Sequence, residues 1–361
     1  MDLFTPTTLG ALTLKNRLVM APMTRLRADA AGVPTDLQGE YYAQRAGFGL
    51  VVTEGVYPSH ESRAYPYQPG IVTRQHRDGW RHVADTVHAG GGTIVVQLMH
   101  AGRVSHLSVT GTERIVAPSG IALTGDVHTA HGKRPYPTPH ALAPSELPVV
   151  RDEFVAAAQR AVDAGLDGVE LHAGNGYLLH QFLAPSANHR TDEYGGDPQA
   201  RARFVIEVVS AVAEQIGGSR LGIRLSPAVN IQGALETDPT DVRATYDALA
   251  DGLAPLGLAY LSVVHVEPAS ALVQRLRARV GAPLVVNTGF SVPSTRKDSA
   301  AMIAEGVADA VAVGRPAIAN PDLVERWRHD LPETQPDPTT FYTGGAAGYT
   351  DYPSWHASAL T

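Results

Sequence analysis

Residues 152–177 read DEFVAAAQRAVDAGLDGVELHAGNGY, and this stretch contains the unit from which we predict the fold. Over Asp152–Ala164 the apolar residues recur at the spacing of one helix face, which predicts a helix. Gly165 follows directly, as a glycine that ends a helix commonly does. Val169–His172 is then a short, mostly apolar run, which predicts a buried strand. The stretch therefore predicts a helix, a tight turn and a strand that ends in polar residues.

Apolar runs of the same kind recur along the chain and alternate with helical stretches. Several are nearly continuous Val, Ile and Leu, which is typical of parallel strands covered on both faces. The eight predicted strands are Arg17–Met20, Leu50–Thr53, Thr93–Leu98, Val169–His172, Leu221–Leu225, Tyr260–His265, Leu284–Asn287 and Ala310–Val313. Further helices are predicted over Arg201–Ile216, Thr240–Leu256, Ala269–Val280 and Ser294–Glu305. This alternation predicts an α/β fold, namely a (β/α)₈ TIM barrel of about 250 residues.

The chain has 361 residues, and we assign the surplus over such a barrel to insertions within a single domain, residues 1–361. The long insertion follows the third strand, at about residues 100–148, and its part 120–141, rich in His and Pro, is expected to cap the site. The C-terminal segment, residues 330–361, is expected to close the site. A doubly wound sheet is the alternative fold, but no G-x-G-x-x-G follows any strand and no Walker A motif is present.

Composition excludes several classes of protein. The formal net charge is −7, which argues against binding to nucleic acid. The absence of cysteine excludes disulfides, thiolate metal sites and a cysteine nucleophile. No apolar run reaches membrane-spanning length, and the N-terminus lacks the pattern of a signal peptide. We therefore expect a soluble cytoplasmic protein without a membrane partner, either a monomer or a homodimer.

Polar residues collect where the predicted strands end, which is where barrels of this class carry their active sites. Arg224 stands within an apolar strand, and a buried charge there needs a partner, either a structural ion pair or an anionic cofactor. The other residues singled out at strand ends, most of them polar, are Thr24, Arg25, Glu54, Gly55, Gln97, Met99, His100, His172, Asn175, Tyr177, His265, Asn287, Gly289, Gly314 and Arg315.

Two glycine-containing segments, Thr288-Gly289 and Gly314-Arg315, follow the seventh and eighth strands, where such barrels commonly bind phosphate. Glycine lets backbone N–H groups approach an anion, and arginine adds charge-assisted hydrogen bonds. A short helix is expected to begin near residues 320–322, just beyond. The alternative is that the glycines only make turns and that Arg315 is solvated.

The fourth strand is followed by His172, Asn175 and Tyr177. Two hydrogen-bond donors that converge can polarise a carbonyl oxygen, and a tyrosine hydroxyl can supply a proton. Each residue alone could equally be an ordinary polar residue whose hydrogen bonds are satisfied within the protein, or a turn residue. A metal site at His172 and His265 is disfavoured because no carboxylate cluster accompanies them, so no metal is expected.

Taken in order, these motifs resemble the old yellow enzyme family over essentially the whole chain. The matching segments are NRLVMAPMTR at residues 16–25, LHAGNGYLLHQFL at 171–183, NHRTDEYGG at 188–196, GIRLSP at 222–227, VGRP at 313–316, NPDL at 320–323, FY at 341–342 and GYTDYP at 348–353. The resemblance implies a barrel that binds FMN and reduces activated C=C bonds.

The resemblance also implies positions for the cofactor. Thr24 would hydrogen-bond the O4 edge of the flavin, Gln97 would pair with its pyrimidine edge, and Arg224 would lie near N1 and C2=O, where charge collects on reduction. The backbone at Ala21, Pro22, Met23 and Gly55 would contact the ring, and Gly289, Gly314 and Arg315 would hold the phosphate.

For the substrate, the resemblance implies that His172 and Asn175 grip a carbonyl or nitro oxygen. Hydride would then pass from flavin N5 to the β-carbon, and Tyr177 would give a proton to the α-carbon. Tyr65, Met99 and Tyr342 would line the substrate pocket. NADPH or NADH would reduce the flavin and leave before a small activated alkene, such as an enone, enal, maleimide or nitroalkene, enters.

Met99 departs from the family, whose members usually carry tryptophan there, and the change is expected to alter the pocket. Thr24 and the absence of cysteine point to the classical branch of the family.

Reductive denitration of nitrate esters or nitroaromatics needs the same donors and stays open as an alternative. A non-catalytic redox sensor is disfavoured because it needs neither the donors nor Tyr177. An iron–sulfur reductase is excluded because no cysteine could bind a cluster.

Overall fold

The eight apolar runs form one closed barrel of parallel strands in the computed structural model, which describes residues 1–355. Neighbours in the barrel follow the chain order, and the eighth strand closes on the first, with Val311 beside Leu18. The (β/α)₈ prediction is confirmed. The barrel strands are Leu18–Met20, Leu50–Val56, Ile94–Leu98, Gly168–Ala173, Leu221–Leu225, Tyr260–Val264, Leu284–Asn287 and Ala310–Val313.

The second barrel strand is longer than the sequence predicts. It continues through Thr53 and Glu54 to Val56, because both polar side chains find partners inside the protein. The Thr53 hydroxyl accepts the backbone N–H of Gln97 at 3.1 Å. The pairing register of this strand shifts between Val52 and Gly55, which is the signature of a bulge. The bulge brings Gly55 to the end of the barrel where the cavity opens.

Helices follow every barrel strand and cover the outside of the barrel. The predicted helix in residues 152–164 begins five residues earlier, at Leu147, and buries Phe154 and Ala158 against the strands. Two helices that the sequence analysis omitted follow the first and second strands. The helices after the strands are Asp36–Gln44, Arg74–Ala89, Leu147–Asp163, Leu178–Leu183, Pro198–Ile216, Pro239–Leu253, Ala271–Val280, Arg296–Ala304, Arg315–Ala319 and Leu323–His329.

Gly165 ends its helix in the way the sequence predicts. Its backbone has φ +90, a conformation that side-chain-bearing residues rarely adopt, and its N–H bonds to the carbonyl of Val162 at 2.9 Å. The turn lets the chain enter the fourth strand at Gly168, which places His172 near the opposite end of the barrel.

The amino-terminal end of the barrel is closed by a hairpin, Thr7–Leu9 with Leu12–Leu14, which the sequence analysis did not predict. Its leucines pack on side chains inside the barrel, among them Val19, Val95 and Val285. The carboxyl ends of the strands are left for the site.

The insertion after the third strand carries more structure than its composition predicts. It contains a short helix, Leu107–Thr110, a two-residue pairing of Val116–Ala117 with His140–Ala141, and an antiparallel hairpin. The hairpin joins Asp126–Thr129 to Gly132–Pro135, and its turn reaches the cavity described below. Within residues 1–355, no helix is both long and apolar enough to cross a membrane.

Candidate active site

A cavity of ≈ 750 Å³ opens at the carboxyl ends of the barrel strands, within the usual size range of small-molecule sites. The residues singled out from the sequence for the cofactor and substrate all line it, although they come from segments spread over more than 300 residues. They are Ala21, Pro22, Met23, Thr24, Gly55, Tyr65, Gln97, Met99, His172, Asn175, Tyr177, Arg224, Gly289, Gly314, Arg315 and Tyr342.

The cavity floor combines a cation with an amide. Arg224 is buried, and its Nη1 donates to the hydroxyl of Ser262 on the next strand at 3.2 Å. Gln97 donates through Nε2 to the carboxylate of Glu170 at 2.7 Å. Burial lowers the pKa of Arg224, and the negative charge of Glu170 opposes that shift. The floor can therefore present both a positive charge and a hydrogen-bond acceptor to a bound molecule.

His172 and Asn175 converge at one point of the wall. The Nε2 atom of His172 lies 3.4 Å from the Nδ2 atom of Asn175. Within residues 1–355, His172 Nδ1 and Asn175 Oδ1 are buried without a hydrogen-bond partner. Burial lowers the pKa of His172 well below its usual value, and the charge of Arg224 lowers it further. A neutral imidazole beside a carboxamide can offer two N–H donors to one oxygen.

The loop that carries these donors is held in an unusual conformation. Asn175 has φ +56, which is tolerated in asparagine more readily than in most residues. Its N–H bonds to the Ser226 hydroxyl at 2.6 Å, and its carbonyl accepts from Gln232 at 2.7 Å. Next along the chain, the N–H of Gly176 bonds to Nδ1 of the buried His180 at 2.8 Å. These contacts hold the backbone from which the Asn175 side chain enters the cavity.

Tyr177 lines the same cavity as His172 and Asn175. Its hydroxyl oxygen lies 3.0 Å from that of Tyr65, and its ring packs near the imidazole of His172 with the ring centres 5.3 Å apart. Burial raises the pKa of Tyr177, while contacts with Tyr65 and Gln232 oppose the increase. The side chain therefore keeps its proton at neutral pH, in a position to give it up inside the cavity.

Gly55 and Met99 pack against each other at the cavity wall. A Cβ atom on Gly55 would lie only 2.7 Å from the sulfur of Met99, so a larger residue could not be accommodated without movement. Met99 is buried in a small apolar cluster with Ala64, Val104 and Tyr177. The methionine that replaces the tryptophan usual in the family thus fills space beside the candidate proton donor.

The segment after the first strand follows the cavity edge because buried Glu54 holds its backbone. One oxygen of that carboxylate accepts the N–H of Arg25 at 3.0 Å and the N–H of Leu26 at 2.9 Å. The side chain of Arg25 is buried and donates to the carbonyls of Phe341 and Gly348. Arg25 therefore supports the C-terminal segment, and both Arg25 and its neighbour Thr24 line the cavity.

The two glycine-containing segments meet at the other end of the cavity. Gly289 has φ +94, and its N–H bonds to Asn287 Oδ1 at 3.1 Å. The exposed side chain of Arg315 donates to the carbonyl of Phe290. The helix expected near residues 320–322 is Leu323–His329, whose N-cap is Asp322. A further helix, Arg315–Ala319, was not predicted and begins directly at Arg315, where Pro316 fits the first turn of a helix.

The C-terminal segment reaches the mouth of the cavity through Phe341, Tyr342 and Thr343. Arg27 holds this segment, since its guanidinium donates to the carbonyls of Phe341 at 2.9 Å and Thr340 at 2.7 Å. Residues 356–361, the last part of the segment predicted to close the site, lie outside the described residues.

His265 does not take part in the site. It is absent from the cavity lining, and its Nδ1 accepts the backbone N–H of Glu267 at 3.0 Å. Across the described part of the chain, no group of three or more His, Asp or Glu residues could hold a metal ion.

Three residues at or behind the cavity wall were not predicted from the sequence, namely Glu170, Gln232 and Tyr136. Glu170 could have been found from the sequence, because a carboxylate within an apolar strand needs a buried partner for the same reason as the guanidinium of Arg224. Gln232 and Tyr136 come from irregular segments without any such signal. Tyr136 packs beside Tyr177 from the hairpin of the insertion.

Comparison with known proteins identifies the family. The model of the NADH:flavin oxidoreductase / NADH oxidase family matches residues 2–334. A probable flavin mononucleotide-dependent alkene reductase from Leishmania infantum is 40% identical over 357 residues, covering 96% of each chain. The structure of the old yellow enzyme homologue from Zymomonas mobilis aligns with a TM-score of 0.92 at 40% identity, over 98% of this chain and 99% of that one. Morphinone reductase in complex with tetrahydroNAD aligns with a TM-score of 0.91 at 43% identity, over 98% of both chains. The chain therefore belongs to the old yellow enzyme family of FMN-dependent oxidoreductases.

Proposed function

We propose that His172 and Asn175 bind the carbonyl or nitro oxygen of an activated alkene and that Tyr177 gives the proton that completes its reduction. The chain is an FMN-dependent oxidoreductase that reduces activated C=C bonds with a nicotinamide as reductant. The observation that carries the proposal is the 3.4 Å approach of His172 Nε2 to Asn175 Nδ2 at the wall of the cavity that Tyr177 also lines.

The two donors act on the electron distribution of the substrate. Hydrogen bonds to the oxygen of an enone or nitroalkene withdraw electron density from the conjugated C=C bond, so the β-carbon accepts a hydride more readily. His172 can do this as a neutral donor, because burial and Arg224 lower its pKa. The Asn175 amide needs no change of protonation state.

Tyr177 supplies the proton for the α-carbon. The Tyr177 side chain is buried in the cavity wall, so a donor within the protein can replace the solvent as the source of this proton. Its 3.0 Å contact with Tyr65 offers a second hydroxyl that stabilises the tyrosinate left behind. The hydroxyl of Tyr177 is then reprotonated after the product leaves.

The cavity residues fit the cofactor of the family. FMN, when bound, supplies the hydride. Arg224 gives a positive charge for the electron-rich pyrimidine end, and the backbone at Gly55 lines the cavity. Arg315 offers a charge for the phosphate at the far end of the cavity, and Gly289 leaves the backbone there without a side chain.

The reductant and the alkene use the same cavity in turn. The sequence carries no dinucleotide-binding fingerprint, which supports a single shared site. The oxidised nicotinamide therefore leaves before the alkene binds to His172 and Asn175.

The roles of the two donors are tested by replacing each with alanine and isolating the alkene step. The FMN-loaded proteins are reduced with dithionite, mixed anaerobically with cyclohexenone, and followed by flavin absorbance. We expect His172→Ala and Asn175→Ala to slow reoxidation on the order of a hundredfold, as for the loss of other oxyanion donors. The exposed His189, outside the cavity, serves as the control in His189→Ala. Unchanged reoxidation in both donor variants would contradict the proposal.

A further inference from the structure

Glu170 lies directly behind the cavity floor. It is 1% exposed and stands on the fourth strand two residues before His172, so both side chains point into the barrel. Glu170 does not line the cavity, but it acts on two residues that do. Its Oε1 accepts from Gln97 Nε2 at 2.7 Å. Arg224 stands on the neighbouring strand, beside His172 and two residues beyond the partner of Glu170, so the two opposite charges lie on adjacent strands.

The first consequence concerns the orientation of the Gln97 amide. A carboxylate accepts hydrogen bonds and cannot donate them, so it selects the NH₂ end of the amide. The carbonyl end, Oε1, makes no hydrogen bond within residues 1–355 and is left for the cavity. Gln97 therefore presents an acceptor to the same cavity that the guanidinium of Arg224 lines. A neutral neighbour that can both donate and accept would permit either orientation.

The second consequence concerns charge. Burial raises the pKa of Glu170, whereas Arg224 and the hydrogen bond from Gln97 favour its ionised form. Charges inside a protein interact over longer distances than in water, because the effective dielectric constant is lower. The positive potential at the cavity floor is then smaller than Arg224 alone would produce.

We propose that Glu170 is a positioning residue for the flavin, which aims the Gln97 carbonyl at the pyrimidine N3–H and lowers the reduction potential by offsetting Arg224. The pyrimidine edge presents an N3–H donor beside a C2=O acceptor, which matches an acceptor beside a cation. This inference rests on the proposed function, because it requires the flavin edge to face Gln97 and Arg224. Reduction places negative charge on that edge, and a nearby carboxylate opposes it.

The charge effect is tested by the midpoint potential of bound FMN. Glu170→Gln removes the charge and keeps the shape, and we expect the potential to become more positive. Glu153→Gln is the matched control, because Glu153 is a partly buried carboxylate on the outer helix Leu147–Asp163 and does not line the cavity. We expect the control to match the wild-type protein. A Glu170→Gln potential equal to the control, or more negative, would overturn the charge effect.

The orientation effect is tested by NMR of protein loaded with ¹⁵N-labelled FMN. In the wild-type protein, the N3–H proton should show the downfield position and slow exchange of a donor held by a carbonyl. In Glu170→Gln the amide can turn, so we expect an upfield shift and faster exchange. An N3–H signal unchanged from wild type would overturn this part of the proposal.

A second variant keeps the test decisive if Glu170→Gln does not fold. Glu170→Asp retains the charge but withdraws the carboxylate from Gln97 by one methylene. We expect it to weaken the N3–H signature while the potential stays close to wild type; the opposite pattern would contradict the assignment. Wild-type protein that binds no FMN, or whose flavin is not reoxidised by cyclohexenone, would count against the proposed function. Failure of the Glu170 variants alone, with a working wild type, would count only against this inference.

Discussion

The hydroxyl oxygens of Tyr65 and Tyr177 lie 3.0 Å apart at the cavity wall, although 112 positions separate the two residues in the chain. Tyr65 comes from the segment after the second strand and Tyr177 from the loop after the fourth. Tyr177 is buried and Tyr65 is half-buried, and burial raises the pKa of each. The pair places a candidate proton donor beside a group that can stabilise its conjugate base.

Replacing Tyr177 with phenylalanine should separate the two halves of the reaction. Tyr177→Phe removes the proton donor, so we expect the alkene step to slow about 10²- to 10⁴-fold, the range for general acid catalysis. Reduction of the flavin by NADPH should stay close to wild type, because no proton donor is needed there. Stopped-flow absorbance measures each half separately. Tyr57→Phe is the control, since the Tyr57 hydroxyl donates to the carbonyl of Ala31 outside the cavity. A defect confined to flavin reduction would show that Tyr177 has another role.

Tyr65→Phe should have a smaller effect on the same step. The contact with Tyr65 lowers the pKa of Tyr177, so its loss makes Tyr177 a weaker acid. We expect the alkene step to slow by less than in Tyr177→Phe and its alkaline limit to move to higher pH. In the wild-type protein the donor stays protonated until the pH exceeds the usual tyrosine value of about 10. A pH–rate profile of the alkene step checks both points, and a limit that moves downward in Tyr65→Phe would refute the coupling.

The methionine at position 99 should control how the alkene lies in the cavity. Met99 packs on Gly55 and beside Tyr177, so a tryptophan there would push into the substrate space. We expect Met99→Trp to change the enantiomeric excess of the product or the range of alkenes reduced. Met99→Leu conserves volume and should leave both unchanged. Chiral chromatography of products from several substituted enones provides the measurement. An enantiomeric excess that stays the same in Met99→Trp across all of them is the contrary result.

Arg315 should distinguish FMN from riboflavin, which lacks the phosphate. A charge-assisted hydrogen bond contributes about 1.5–3 kcal/mol, so we expect Arg315→Ala to weaken FMN binding roughly tenfold to a hundredfold. Riboflavin binding to the apoprotein should not change. Arg279→Ala, on the outer helix Ala271–Val280, should bind both flavins as the wild-type protein does. Fluorescence titration measures the affinities of the wild-type protein and both variants for the two flavins. Equal losses for FMN and riboflavin would place Arg315 away from the phosphate.

His100 should make the fold sensitive to acid. Burial lowers the pKa of His100 to about 3, whereas an unfolded histidine titrates near 6.5. Between these values only the unfolded state binds the proton, so stability falls as the pH decreases below about 6.5. At pH 5 the cost is about 2 kcal/mol for this residue.

His100→Asn tests this contribution, because the asparagine oxygen can replace Nδ1 as acceptor for the N–H of Gly102. Denaturant unfolding at pH 7 and pH 5 should show a drop in stability that is smaller than in wild type by about 2 kcal/mol. The exposed His131, changed to asparagine, should leave the drop unaltered. If the stability of His100→Asn falls as much between pH 7 and pH 5 as that of the wild-type protein, another group dominates this loss of stability.

The barrel could be predicted from the sequence because its strands are buried on both faces. Leu221–Leu225, Leu284–Asn287 and Ala310–Val313 have the predicted bounds, since apolar residues begin and end with the strand. The second strand extends beyond its predicted end, because the polar residues Thr53 and Glu54 are typical of a strand end and their buried partners cannot be identified from the sequence. Helix Arg74–Ala89 could have been predicted, because Trp80, Val83 and Val87 recur at the spacing of one helix face.

The candidate site was predictable only in part. His172, Asn175, Tyr177 and Arg224 stand at the ends of strands, where side-chain chemistry and barrel geometry coincide. Long-range packing of irregular segments determines the hairpin 126–135 and the contact of Gln232 with Asn175. The local sequence of these segments has no periodic pattern from which such packing could be predicted. Distances such as that between the two tyrosine hydroxyls likewise follow from tertiary structure alone.

The most direct measurement is an anaerobic absorbance experiment on the purified protein. NADPH is added first, and cyclohexenone is added when the spectrum is stable. We expect a flavin band that bleaches with NADPH and returns with the enone, with the saturated ketone as product. A protein that shows no flavin band after reconstitution with FMN, or a band that bleaches and does not return with any enone or nitroalkene, would contradict the assignment of an alkene reductase.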